Sequence, residues 1–188
     1  MKPRSCSIAG VFALTLFVSG LNLAAAPLTA FAVAKQGDKL ILSGAKDKVI
    51  QMYSDQSGAG LVPDVWHVEY YDPTTPFKKT EFKFVVGKLT ETKHPKQFFD
   101  TFSGTKQLEW RKLKIDSNRA LAIALKDPLL KHLDLQAAQY WLERSSVGPT
   151  WKIRFWMPRL GKPGQLNQLG DVYIHCQTGE ILREELHP

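Results

Sequence analysis

Cysteine is scarce in this chain of 188 residues, which contains only Cys6 and Cys176. Disulfide-rich scaffolds and zinc sites built on paired cysteines are therefore excluded. The five histidines show no His-x-x-x-His spacing, so the residues do not predict a metal site either. Gly58 and Gly60 follow a predicted helix, whereas a phosphate-binding loop needs its glycines before one. We therefore expect neither a metal nor an organic cofactor.

A nucleophile beside a base is also lacking. Cys176 directly follows His175, but neighbouring residues of a strand point to opposite faces, so the pair cannot act together. The serines lie mostly in predicted turns or caps, outside any nucleophile-elbow motif. The predicted core face places Cys176 beside Val172 and Ile174, which favours a small buried side chain over a reactive thiol. We predict that the protein is not an enzyme and assign no catalytic residue.

The N-terminal stretch has almost no charge. Two cations precede a run without charged residues at 5–34, and Ala30 and Ala32 are small residues at the positions that a signal peptidase recognises. We predict a signal peptide at 1–32, cleaved after Ala32, and a periplasmic or secreted protein that keeps no transmembrane segment. The alternative is an uncleaved membrane anchor, since the run is long enough to span a bilayer. Cleavage would leave Cys176 as the sole cysteine and the protein without an internal disulfide.

Positive charge is concentrated in one part of the chain. The formal net charge is +7, and the stretch from Lys78 to Arg119 contains eleven Lys or Arg against five Asp or Glu. In an exported protein this excess favours contact with acidic glycans, anionic lipid headgroups or an acidic protein. A solvated lysine-rich surface is the alternative. Nucleic acid is not expected as a partner, because the compartment is wrong and no motif that reads bases is present.

Alternation of apolar and polar residues, together with capping signals, defines the expected secondary structure. The predicted elements are, in chain order, a strand at 39–42, a helix at 44–53, strands at 65–71, 81–86 and 108–115, a helix that begins at Asp116 or Ser117, and strands at 136–144, 151–156 and 171–176. Trp66 and Trp151 lead matching strands, which suggests an internal repeat. We predict an α+β fold of two tandem strand-helix-strand-strand repeats, at 33–106 and 107–188, with antiparallel sheets and helices packed on one face.

Four features of the second half resemble the PepSY domain. They are a strand led by Trp151, the strand Asp171–Ile174, the turn Thr178–Leu182 and the helix opening at 115–124. The first half resembles the same family faintly and lacks the threonine of the turn. The resemblance implies a small exported or membrane-tethered bacterial module that binds partners or inhibits peptidases. The family has no catalytic motif, so no residue here inherits a catalytic role.

The side chains that face away from the predicted core suggest a binding surface. Aromatic and arginine residues on an exposed sheet are typical anchors of protein interfaces. The predicted partner-binding residues are Trp156, Arg154, Lys152, Tyr71, Glu69, His67, Tyr173 and His175. The alternative is that this face is covered, either by the segment 94–106 or by the other repeat.

We therefore predict an exported, non-enzymatic protein that binds a protein partner in the cell envelope or among secreted proteins. Inhibition or modulation of a peptidase is one form of that function. The alternative function is a cationic module that attaches to anionic glycans or lipid headgroups.

Overall fold

The computed structural model describes residues 28–95 and 107–187, and within them eight strands form one antiparallel sheet in the order β4-β3-β2-β1-β5-β6-β7-β8. The α-helices and strands of the described residues are α1 Ala30–Leu40, β1 Val49–Ser54, β2 Val65–Tyr71, β3 Lys79–Val85, β4 Lys88–Lys93, α2 Ser117–Ala124, β5 Ala137–Ser145, β6 Gly148–Pro158, β7 Leu166–His175 and β8 Ile181–Leu186. The fold is predominantly β. No helix in the described part of the chain is long and apolar enough to cross a membrane.

The order of elements repeats along the described chain. A helix precedes four consecutive antiparallel strands in each half, and the halves join where β1 pairs with β5 through Met52–Leu142 and Tyr53–Trp141. Sequence neighbours are therefore also spatial neighbours, except at this central seam. The division at 33–106 and 107–188 stays a prediction.

One face of the sheet carries the apolar core. Alternate residues of every central strand point into it, because side chains of a strand alternate between the two faces. Its largest fully buried side chains include Trp151, Tyr70, Tyr140, Phe84, Phe155, Met52, Leu142 and Ile153. Helix α1 packs on β1 and β2, while α2 packs on β6 and β7. Each aromatic or aliphatic side chain in this core stabilises the fold by about 1.5–3 kcal/mol.

Two buried indoles hold equivalent positions in the two halves. The Nε1 group of Trp66 donates to the carbonyl of Leu28 at 3.1 Å, two residues before α1 begins. The Nε1 group of Trp151 donates to the carbonyl of Ile115 at 2.7 Å, two residues before α2 begins. Each indole therefore anchors the segment that leads into the helix of its own half.

The predicted α+β class is wrong, because the described residues form one continuous eight-stranded sheet with two short α-helices. The segment 44–53, predicted as a helix, contains β1. Its apolar spacing fitted a helix, but Val49 and Met52 reach the same face of a strand because the pairing with β2 shifts register at a bulge between Val49 and Gln51. The predicted strand at 39–42 contains the end of α1. The strand-helix-strand-strand unit is therefore also wrong.

Two further differences concern exposed or irregular backbone. The predicted strand at 108–115 is instead a connection with a short 3-10 turn at Trp110–Lys112. It is anchored by backbone hydrogen bonds, from Leu108 to Val49 and from Ile115 to Cys176. Strands β4 and β8 were not predicted, since they lie at the edges of the sheet and their exposed, charged sequences lack alternation. The helix capped by Asp116 is present as α2.

Candidate binding face

A row of side chains crosses the face of the sheet opposite the core. Direct cross-strand pairing places them in register on seven neighbouring strands of the described sheet. This outer row comprises, from β3 to β8, Lys83, His67, Tyr53, Trp141, Lys152, Tyr173 and Arg183. With strands about 4.8 Å apart, the row is about 29 Å long. Cationic or imidazole groups and aromatic rings therefore lie side by side across most of the sheet.

The first half of the outer row is closed by internal ion pairs and hydrogen bonds. His67 is 7% exposed, and its ring stacks on Tyr53 with centroids 4.5 Å apart. Its Nδ1 lies 2.9 Å from Glu81 and its Nε2 lies 3.2 Å from Asp55. The hydrogen bond with His67 lowers the pKa of Glu81 below its ordinary value, against the effect of burial. These side chains satisfy one another, which leaves little of this half for a partner.

The second half of the outer row surrounds Trp141, which is half-buried at the centre of the sheet. The Nζ group of Lys152 lies 5.1 Å from the Trp141 ring centre and 5.9 Å from that of Tyr173. Arg183 stacks on the other side of Tyr173 at 4.1 Å. Cations over aromatic rings attract each other by about 0.5–1 kcal/mol at exposed sites. This half is thus an ordered surface of alternating rings and cations.

Asp171 fixes the cations of this half. Asp171 is 6% exposed, and its carboxylate accepts two hydrogen bonds from Arg154, at 2.7 Å from Nε and 3.0 Å from Nη2. The Nζ group of Lys152 lies 3.2 Å from the same carboxylate. Burial alone would raise the pKa of Asp171, but the hydrogen bonds from Arg154 and Lys152 outweigh it and hold the pKa below its ordinary value. The carboxylate is therefore ionised at neutral pH and orients both cations.

A small cavity of about 280 Å³ lies next to the second half of the outer row. Lys152, Tyr173 and Arg183 form part of its wall. The hydroxyls of Ser145 and Thr150, which are hydrogen-bonded to each other at 2.8 Å, also line it, together with Glu143, Ser146 and Leu182. The cavity therefore has a mixed lining of one ring, two cations, one acidic side chain, hydroxyl groups and one apolar side chain.

Five of the eight predicted partner-binding residues lie on β6 and β7, in the second half of the sheet. Lys152, Arg154 and Tyr173 lie together around Asp171. Trp156 is half-buried and lies two residues beyond Arg154 on β6. His175 lies two residues beyond Tyr173 on β7, where its Nδ1 is 3.0 Å from the hydroxyl of Thr178.

The remaining three predicted residues belong to the first half of the sheet. His67 is held by the two carboxylates described above, and Glu69, which is 6% exposed, forms an ion pair with Lys79. Tyr71 lies at the end of β2 with the Nζ group of Lys48 5.8 Å from its ring centre. His67 and Glu69 are therefore structural groups in this arrangement. Most of segment 94–106, considered above as a cover, lies outside the described residues.

Sequence reasoning did not single out Trp141, Arg183 or Asp171. The signal for Trp141 was present, since it alternates with the core residues Tyr140 and Leu142 in a predicted strand. Arg183 lies in an edge strand that was not predicted. The role of Asp171 depends on its pairing with Arg154 across two strands, a contact that only the sheet register reveals.

The remaining candidate groups do not add a second site. Cys176 is fully buried, and burial raises the pKa of its thiol to about 11. Within residues 28–95 and 107–187, no cluster of three or more His, Cys, Asp or Glu side chains is arranged to hold a metal ion.

Several lysines of the cationic stretch form ion pairs with carboxylates of the same chain. Their ion pairs are Lys79 with Glu69, Lys83 with Asp55, Lys93 with Glu91, and Lys112 with Glu109. The charge excess of the sequence is therefore partly neutralised locally, which weakens the argument for one continuous anion-binding patch.

Comparison of the chain with protein-family models, with curated proteins and with solved structures found no match. The resemblance to the PepSY domain therefore stays a prediction.

Proposed function

We propose that this protein is an exported, non-enzymatic module that binds a protein partner through the second half of its outer row. The observation that carries the proposal is the ordered group formed by Trp141, Lys152, Tyr173 and Arg183 on an uninterrupted sheet. Tryptophan, tyrosine and arginine are enriched among the residues that dominate the binding energy of protein interfaces. The two aromatic side chains bury much area at little cost in conformational entropy.

The second half of the outer row is also pre-organised. Asp171 holds the cations in place before any partner arrives, so less side-chain freedom is lost on association. The PepSY-like features of the second half support export and partner binding, with restraint of a peptidase as one form. The proposal includes no cofactor, no metal and no nucleic acid.

The test is a crosslinking capture with the full chain as bait, followed by titration of the purified protein that is recovered. Trp141→Ala and Arg183→Gln remove a ring and a cation that the structure shows on the outer face, and we expect each to weaken binding at least tenfold. Lys131→Gln is the matched control, because Lys131 is exposed in the connection between α2 and β5. Equal binding by all four proteins would contradict the proposal.

The alternative function, attachment to anionic glycans or lipids, gives a different result. Retention on heparin or on anionic vesicles would then fall steeply with salt and would depend on the lysines between Lys78 and Arg119. Binding through the ring-and-cation group should depend much less on salt.

A further inference from the structure

The residues around the predicted cleavage site are part of the folded protein. Ala32, after which the signal peptidase was expected to cut, lies in the first turn of α1. Thr29 caps this helix by accepting a hydrogen bond from the amide of Ala32 at 3.4 Å. Ala30 is 1% exposed, and Val33 is fully buried in the core. A chain cut at this point would lose the start of its first helix.

The start of α1 also connects the two halves of the protein. The amide of Ala30 donates to the hydroxyl of Ser117 at 3.1 Å, and the amide of Phe31 donates to the carboxylate of Asp116 at 3.1 Å. The same carboxylate accepts from the amide of Ser117 at 2.7 Å and so caps α2. Asp116 therefore serves the N-termini of both helices, as anions do at that end of a helix.

Leu28 and Phe31 fill positions shaped for them. The carbonyl of Leu28 is the acceptor for the buried indole of Trp66. The side chain of Leu28 packs against Gly87, which has a φ of +72°. A Cβ added at Gly87 would lie 2.6 Å from Cδ1 of Leu28. The ring of Phe31 lies 5.9 Å from that of Trp110 and 6.3 Å from that of Trp151.

Cleavage after Ala32 would remove all of these contacts at once. The indole of Trp66 would lose its acceptor, and Ser117 and Asp116 would lose their partners in α1. The new, charged terminal amine would be on Val33, a position without solvent exposure, where an unpaired charge is strongly disfavoured.

We propose that Leu28–Ala32 are retained in the exported protein and that the leader is removed N-terminal to Leu28. The inference rests on the proposed export. It assigns a processing site to a segment other than the one that the sequence pattern first indicated.

The experiment is to express the full chain with its own leader, to separate the membrane, soluble exported and cytosolic fractions, and to measure intact mass and N-terminal sequence. We expect a processed, soluble exported protein that still contains Leu28–Ala32. A folded protein that begins at Val33 would overturn the proposal. An intact chain in the membrane fraction would overturn it in favour of an anchor, whereas an intact chain confined to the cytosol would contradict the proposed function as well.

Substitution of Ala32 tests whether the leader is cut there. Ala32→Gln places a large side chain at the first predicted site, on a helix position that tolerates glutamine. We expect processing to continue at the wild-type position. A block of processing by Ala32→Gln would overturn the assignment.

Discussion

Replacement of Asp171 by asparagine tests whether one carboxylate organises the binding face. The substitution keeps the size of the side chain and removes its charge. Arg154 loses its bidentate ion pair, and Lys152 loses the carboxylate at 3.2 Å. Two cations then face a neutral amide on a partly buried surface. We expect the folded protein to become less stable and its outer row to lose its fixed geometry.

The size of the effect follows from the exposure of the three side chains. Breaking a fully buried pair costs about 3–5 kcal/mol, because the remaining charge has no partner and no water. Here the side chains of Arg154 and Lys152 are 26% and 23% exposed, so that water recovers part of the loss. We therefore expect the free energy of unfolding to fall by about 2–3 kcal/mol. For a domain of this size, Tm should decrease by about 4–12 °C.

The dependence on pH gives the same prediction a second readout. The folded protein holds the pKa of Asp171 below its ordinary value, so the carboxylate stabilises the fold above the unfolded pKa of about 3.9. This contribution is lost as the pH falls through the folded pKa. The difference in stability between wild type and Asp171→Asn should therefore be full above about pH 5 and should shrink in more acidic solution.

Thermal and urea unfolding, followed by near-UV circular dichroism, measure both effects. Glu91→Gln is the matched control, because its ion pair with Lys93 spans 2.9 Å at an exposed edge, with side chains 43% and 52% exposed. We expect this variant to unfold at the wild-type midpoint. If Asp171→Asn also unfolds there, or if its deficit persists unchanged in acid, the role assigned to Asp171 is refuted.

Two further predictions concern the core. Gly37→Ala should lower the free energy of unfolding in urea by about 1–3 kcal/mol, because the new Cβ would press on the Tyr70 ring, 3.1 Å from Cζ. This loss should outweigh the higher helix propensity of alanine. An equal or higher stability would contradict this packing. A thiol reagent should label the peptide that carries Cys176 only after unfolding, since the thiol is buried with its pKa raised to about 11. Rapid labelling under native conditions would contradict that burial.

Local patterns in the sequence predicted much of the second half and part of the first. The alternation of Trp66, Val68 and Tyr70 places β2, and that of Trp151 and Ile153 places β6, because the apolar side chains of each strand point to the core face. Asp116 marks the start of α2 by its capping chemistry.

The overall arrangement could not be predicted in the same way. A strand interrupted by a bulge, such as β1, loses its alternation and imitates a buried helix. The pairing of Tyr53 with Trp141 joins residues far apart in sequence, and no local pattern encodes that register. The predicted leader overlaps the start of α1, because small apolar residues such as Ala30 suit both a cleavage site and a tightly packed helix.

The binding face shows the same limit. Alternation alone placed Lys152, Arg154 and Tyr173 on one face. The pairing of β6 with β7 puts Lys152 directly opposite Tyr173 on that face. The ring that they surround, Trp141, comes from β5, and its position depends on a second register. Side-chain pairing also decides which residues are available, since His67 shares that face and is buried between carboxylates.

The central claim is that the second half of the outer row binds a protein. The most direct measurement is the dissociation constant, by titration calorimetry, of the captured and purified partner for wild type, Trp141→Ala and Lys131→Gln. The account predicts that Trp141→Ala weakens binding about 30-fold, as expected for an interface anchor worth about 2 kcal/mol, while Lys131→Gln binds as wild type. Wild-type affinity in Trp141→Ala, with the variant folded, would contradict it.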